Sequence, residues 1–254
     1  MFHHHHLHHK SKLLSIFIIF ITIFITVTTA NQTKTNCVRR CGKQSVKYPF
    51  GFSEGCEIKL NCSINKELKI GELKVQEVNS DSIFITLPAK CNRSMSFIHP
   101  LFDKNYAPTW NNTFLVQDCN VSNLSGCVIP TSSFIGKQIE GCDGSRKSDN
   151  ITCFTQLQRR RTTREDVLAL EDWKKIGCNF LFSAIAFDNS KVGEAPLQFQ
   201  VVELGWWLEG SSRCSDDADR KVVYLAREKQ GFRCRCHEGF VGDGFVNGSG
   251  CRKG

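Results

Sequence analysis

The chain has 254 residues, with 33 basic and 25 acidic side chains and a formal charge of +8. A positive balance this mild suits an acidic partner or solubility alone, and does not choose between them. All 14 cysteines lie after residue 30, which argues against a reducing compartment.

Residues 1–30 read as a signal peptide. Lys10 and Lys12 precede the apolar run Leu13 to Val27, and the small residues Thr28, Thr29 and Ala30 follow. The run is too short and too rich in threonine for a bilayer span, which takes about 20 apolar residues. Six histidines fall in this segment and are given no role, because they leave with it. Loss of the leader leaves 31 basic against 25 acidic residues, a balance of +6. No second apolar run of membrane length follows, so the expected product is secreted and extracellular.

An even number of cysteines behind a signal peptide implies a disulfide framework. A zinc site is not expected: there is no C-x-x-C pair, and His99 and His237 lie far apart. Signals for N-glycosylation stand at Asn31, Asn61, Asn92, Asn111, Asn120, Asn123, Asn150 and Asn247. An exported glycoprotein is not expected to meet nucleic acid.

Residues 37 to about 100 read as short strands. In "CEIKLNC", Ile58, Leu60 and Cys62 alternate with Glu57, Lys59 and Asn61, giving one buried and one wet face. "LKIGELKVQEV" and "DSIFITLPAKC" continue the pattern, with Ile83, Ile85 and Leu87 on one side and a turn at Asn79 to Asp81. The preceding "GFSEG", Gly51 to Gly55, has the spacing of a serine hydrolase nucleophile elbow. Its context is wrong. An alternating strand follows Ser53 where the elbow needs a helix, and only His99 and His237 remain as bases. No catalytic residue is expected. Ser53 reads as the polar turn residue of a disulfide-clamped hairpin, with Tyr48, Phe50 and Phe52 alternating toward a core.

From about 101 to 204 the texture changes. "NTFLVQDC" reads as a strand ending on Cys119, and loops held by disulfides follow to Cys153. One helix is expected, capped by Thr163, with Asp166 at the capping-box position, Val167, Leu170 and Trp173 at helical spacing, and Gly177 as its stop. "FLFSAIAF" and "PLQFQVVELGWWL" read as strands. In the latter, Trp206 shares a face with Leu204 and Leu208 and belongs to the core. Trp207 shares the other face with Glu203 and Glu209, so it is the candidate to stack on a sugar or to pack on the tail. The glycine-rich tail has too little apolar content for a core of its own, so disulfides must hold it. The fold class is therefore mostly β and disulfide-rich, with small antiparallel β domains and one short helix.

"CVRRCGKQSVKYPFGFSEGCEIKLNC", Cys37 to Cys62, resembles the opening of the galacturonan-binding extracellular domain of plant wall-associated receptor kinases. "YAPTWNNTFLVQDC" and "WKKIGCNFLFS" resemble that family's second cysteine-rich segment. "LGWWLEG" and "GFRCRCHEGFVGDGF" resemble its epidermal-growth-factor-like (EGF-like) tail. The resemblance implies three parts after the leader: 31–100, 101–204 and 205–254. It also implies binding of acidic wall pectin. Family members usually continue into a transmembrane helix and a kinase, whereas this sequence ends three residues after Cys251 and contains no kinase motif. Phosphotransfer is thus not expected of it, and membrane attachment would need an uncleaved leader or further chain.

A full EGF-like module has six cysteines, and four remain here. Alignment with the module implies the pairs Cys214–Cys234 and Cys236–Cys251. It places the missing third cysteine near Arg220 and the missing first near Ser211 or Ser212. Such modules often hold calcium, but here one acid in "LEGSSRC" and Arg227 at the later ligand position leave too few oxygen ligands. No metal or cofactor is expected.

A chain of carboxylates needs cations along a surface. Arg39, Arg40, Lys43 and Lys47 form the first candidate cluster, with Lys59 on the wet face of its strand, Arg93 after Cys91, and Trp207 as a stacking residue. Arg159, Arg160, Arg161 and Arg164 form a second. The alternative is an interaction protein that pairs with full-length receptor kinase relatives or competes for their ligand.

Overall fold

The computed structural model describes residues 36–120, 127–130, 139–142, 150–155, 165–187, 197–211 and 213–254. The chain opens with a two-residue hairpin, β1 (Arg40–Cys41) against β2 (Gln44–Ser45). β3 (Phe50–Gly51) and β4 (Ile58–Lys59) then pair in parallel, Phe50 opposite Ile58. The segment between them is therefore a crossing loop, and the hairpin expected around Ser53 is not formed. The serine hydroxyl accepts from the Val38 backbone N–H at 2.9 Å, and Cys37–Cys56 closes the loop. Tyr48 and Phe50 reach the core as their alternation requires, and Phe52 packs against it.

A six-stranded sheet follows, built from β5 (Asn61–Cys62), β6 (Leu68–Ile70), β7 (Leu73–Val78), β8 (Ser82–Thr86) and β9 (Tyr106–Pro108). Asn79 makes the turn between β7 and β8; its side-chain oxygen accepts from the N–H groups of Asp81 and Ser82. A five-stranded sheet takes β10 (Asn112–Cys119), β11 (Val128–Pro130), β12 (Asn150–Thr155), β13 (Cys178–Phe187) and β14 (Leu197–Phe199) in the order β11-β12-β10-β13-β14. The chain then returns as β15 (Val201–Trp206) and slots between β8 and β9, giving the order β5-β6-β7-β8-β15-β9. Ile83, Ile85 and Leu87 are fully buried on one side of β8, and Phe84 on the other meets Ala186 and Val201. β8 is thus covered on both faces, while alternation alone predicts one wet face. Each such burial contributes about 1.5–3 kcal/mol.

The helix is much shorter than the spacing predicts. α1 is a single turn, Leu170–Lys174, begun at Ala169 without a side-chain cap. Val167 bridges Thr109, Leu168 N–H donates to the Pro108 carbonyl, and Asp166 accepts from the Tyr224 N–H. Those residues are extended because sheet partners claim their backbone, and tertiary pairing outweighs helical periodicity. Thr163 lies outside the described residues. Trp173, on α1, is buried edge-on against Phe114 with ring centroids 4.8 Å apart, and its indole N–H donates to the Met95 carbonyl.

The tail is a long hairpin of β16 (Ala218–Tyr224) and β17 (Gln230–Cys236), then a short one of β18 (Phe240–Gly242) and β19 (Cys251–Lys253). It has a docked inner side. Phe245 sits 5.0 Å from Tyr48 and 6.2 Å from Phe232, centroid to centroid. Arg233 and Arg235 both donate to Asp81 in the β7–β8 turn. Burial pushes the Arg233 guanidinium pKa down, and Asp81 opposes that shift.

All fourteen cysteines are paired. The bonds are Cys37–Cys56, Cys41–Cys62, Cys91–Cys142, Cys119–Cys178, Cys127–Cys153, Cys214–Cys234 and Cys236–Cys251. The last two are the pairs the EGF-like resemblance implies. Among the described residues, no helix is long and apolar enough to cross a membrane.

Candidate polyanion-binding face

The β1–β2 hairpin turns at Gly42 and Lys43, and Gly42 has φ of +61°, a conformation that favours glycine. A β-carbon there would also fall 2.6 Å from the β-carbon of Lys66. Lys66 belongs to the turn after β5, where Ser63 accepts from the N–H groups of both Lys66 and Glu67. The Cys41–Cys62 disulfide ties this turn to the hairpin. The result is a fixed group of three exposed cations, Arg40, Lys43 and Lys66, drawn from two separate loops. Arg40 Nε donates to the Gly42 carbonyl at 3.2 Å, which orients its guanidinium along the tip. None of the three makes an ion pair among the described residues. Lys47 is exposed a few residues further along the same segment.

The other predicted cations are placed differently. Arg39 is turned inward, its guanidinium 5.6 Å from the centre of the Tyr48 ring. Lys59 is exposed but engaged by Glu54, and that hydrogen bond and charge hold the Glu54 carboxyl below its usual range. Its charge is largely cancelled at the surface. Arg93 is not a surface cation: it is 7% exposed, donates to the carbonyls of Pro88 and Phe182, and lies over the Phe97 ring. It fastens the segment after β8 to β13. Burial also lowers its pKa. Trp207 is likewise corrected as a sugar-stacking residue. It is 5% exposed, with its indole against Gly231 of β17, so the tail covers the face that alternation leaves open. Arg159, Arg160, Arg161 and Arg164 lie outside the described residues.

Lys66 has no signal in the local sequence. Knowledge that Cys41 bonds Cys62 would have found it, because that crosslink sets the two loops side by side.

Among the glycosylation signals, Asn61, Asn92, Asn120, Asn150 and Asn247 are exposed. Asn31 and Asn123 lie outside the described residues. Asn111 is half-buried, and its amide donates to Glu203.

Seven disulfides around a six-stranded and a five-stranded β-sheet, with a docked growth-factor-like tail, define a disulfide-stapled β module. Comparison with curated proteins gives the kinship. The chain is 37% identical over 249 residues to Wall-associated receptor kinase-like 14 of Arabidopsis thaliana, covering 94% of this chain and 34% of that protein. Wall-associated receptor kinase-like 21 of the same plant is 36% identical over 243 residues, covering 93% and 37%. Wall-associated receptor kinase 3 is 19% identical over 295 residues. The chain is thus related to the extracellular region of wall-associated receptor kinase-like proteins, and it spans about a third of the length of these relatives. No family model matches it, and no solved structure does.

Proposed function

We propose that this chain is a non-enzymatic, extracellular binding module for acidic cell-wall polysaccharide, and that Arg40, Lys43, Lys66 and Lys47 carry the binding. The observation that supports the reading is the set of exposed cations with no ion pair among the described residues, of which Arg40, Lys43 and Lys66 are brought together by Cys41–Cys62. A rigid row of this kind loses little conformational freedom on meeting a row of carboxylates. Arg40 grips a carboxylate by two parallel N–H groups; the lysines act as point charges.

The test is retention on de-esterified polygalacturonate. Retention should weaken as salt rises, because the Debye length is only about 8 Å at physiological ionic strength. The fully methyl-esterified polymer should be retained far less. Reversing the three tip charges, Arg40→Glu with Lys43→Glu and Lys66→Glu, should cost roughly tenfold or more in affinity, at about 0.2–1 kcal/mol for each exposed pair. Equal retention of the two polymers would reject the charge mechanism. Co-precipitation with receptor kinase ectodomains in the absence of polysaccharide would favour a partner role in its place.

A further inference from the structure

Between the β1–β2 hairpin and the tail lies a cleft of about 710 Å³. Three distant stretches wall it: 44–48 of the opening segment, 76–80 of β7 and its turn, and 234–236 with 240–243 of the tail. It adjoins the cation row. Gln44 and Ser45 line the cleft and pair with Cys41 and Arg40, while Leu68 lines it two residues after Lys66. Lys47 is common to both.

The charge of the cleft differs from that of the row. Lys47 and Arg235 are matched by Glu77 and Asp243. Arg235 is held by Asp81 at 2.8 Å, and Asp243 by the N–H groups of Phe245 and Ser249. Lys47 and Glu77 are left without an ion pair among the described residues. Beyond Lys47, which the row also uses, the carboxylate of Glu77 makes the cleft a poor place for a run of carboxylates. An uncharged sugar ring suits it well. Its hydroxyls can donate to the Glu77 carboxylate and accept from the Lys47 ammonium, and its apolar face has the half-buried Phe240 to lie against.

We propose that the cleft binds an uncharged residue, such as a methyl-esterified uronic acid, of the same polysaccharide whose acidic stretch lies on Arg40, Lys43 and Lys66. The inference rests on the proposed function and deepens it: the molecule reads the border between acidic and uncharged stretches.

The full secreted chain is tested by calorimetry with galacturonate oligomers of one length. One is fully acidic, one fully methyl-esterified, and one carries an acidic half and an esterified half. The half-and-half oligomer should bind about fivefold more tightly than the acidic one, a gain of about 1 kcal/mol. Val241→Trp, at an exposed position lining the cleft, should abolish that preference and leave affinity for the acidic oligomer unchanged. Glu77→Gln, which keeps shape and removes the repulsion, should raise affinity for the acidic oligomer by about two- to threefold. Equal binding of the half-and-half and acidic oligomers overturns the cleft assignment while the cation row stands. So does a Val241→Trp protein that keeps the preference. If the unaltered chain binds none of the three, the underlying reading falls as well.

Discussion

Asn111 stands in a glycosylation signal and also in a buried hydrogen-bond network. Its side-chain N–H donates to Glu203 Oε2 at 3.0 Å, and the Thr109 hydroxyl donates to the same oxygen. Ser82 donates to the other carboxylate oxygen, and Asn112 clamps the backbone of Glu203 through both its amide atoms. Glu203 is 8% exposed, so these donors replace the water its carboxylate gives up on burial. A glycan on Asn111 would push a bulky group into the contact. Peptide mapping of the protein expressed through a secretory pathway should therefore find Asn111 bare while exposed signals such as Asn150 carry sugar. Asn111→Ala should destabilise the fold by about 1–3 kcal/mol, as expected when a buried acceptor loses a partner. An occupied Asn111 in folded protein would contradict this packing. Alternation correctly sets Trp206 and Trp207 on opposite faces. That both faces are dry follows from the tail, and no local pattern reports it.

Strands were easier to read than their partners. The turn at Asn79 to Asp81 and the strands ending on Cys119 and Phe187 stand where alternation and turn chemistry put them. The helix is shorter than its pattern because Val167, helically spaced with Leu170 and Trp173, and Leu168 beside it give their backbones to sheet partners. In the tail, Cys236–Cys251 closes a loop with a sequence separation of 15. Replacing both residues by serine should cost about 3 kcal/mol on loop entropy. β18 and β19 should then open to protease first, while Phe232 on β17 and Trp207 against Gly231 keep β16 and β17 docked. Early cleavage within β17 in that variant would show that the aromatic contacts do not hold the tail without the crosslink.

At the scale of the molecule, mostly β content and complete cysteine pairing are legible from strand alternation and from the even number of cysteines. The sheet order is not, because β15 finds its neighbours more than ninety residues away, at Glu203–Phe84 and Leu204–Pro108 among others. The pH response follows from exposed pairs. Hydrogen bonds and charge from Lys59 hold Glu54 low, those from Lys90 hold Glu140 low, and Lys221 with His237 does the same for Asp219. The folded-state values lie below the unfolded ones. Their stabilisation is thus present above the unfolded carboxylate range and disappears as pH falls through the folded values. The melting temperature should hold between pH 7 and about 5 and decline below about pH 4, with less decline in high salt. A melting temperature that rises on acidification would contradict these pairings.

The placement of β15 between β8 and β9 has a consequence for biosynthesis. A nascent chain whose last translated residue precedes Val201 has both flanking strands but nothing to put between them. Two bare strand edges then wait until translation delivers the missing one, and such edges invite pairing with other chains. Closure of the sheet therefore waits for β15, and chaperone protection matters most during that interval.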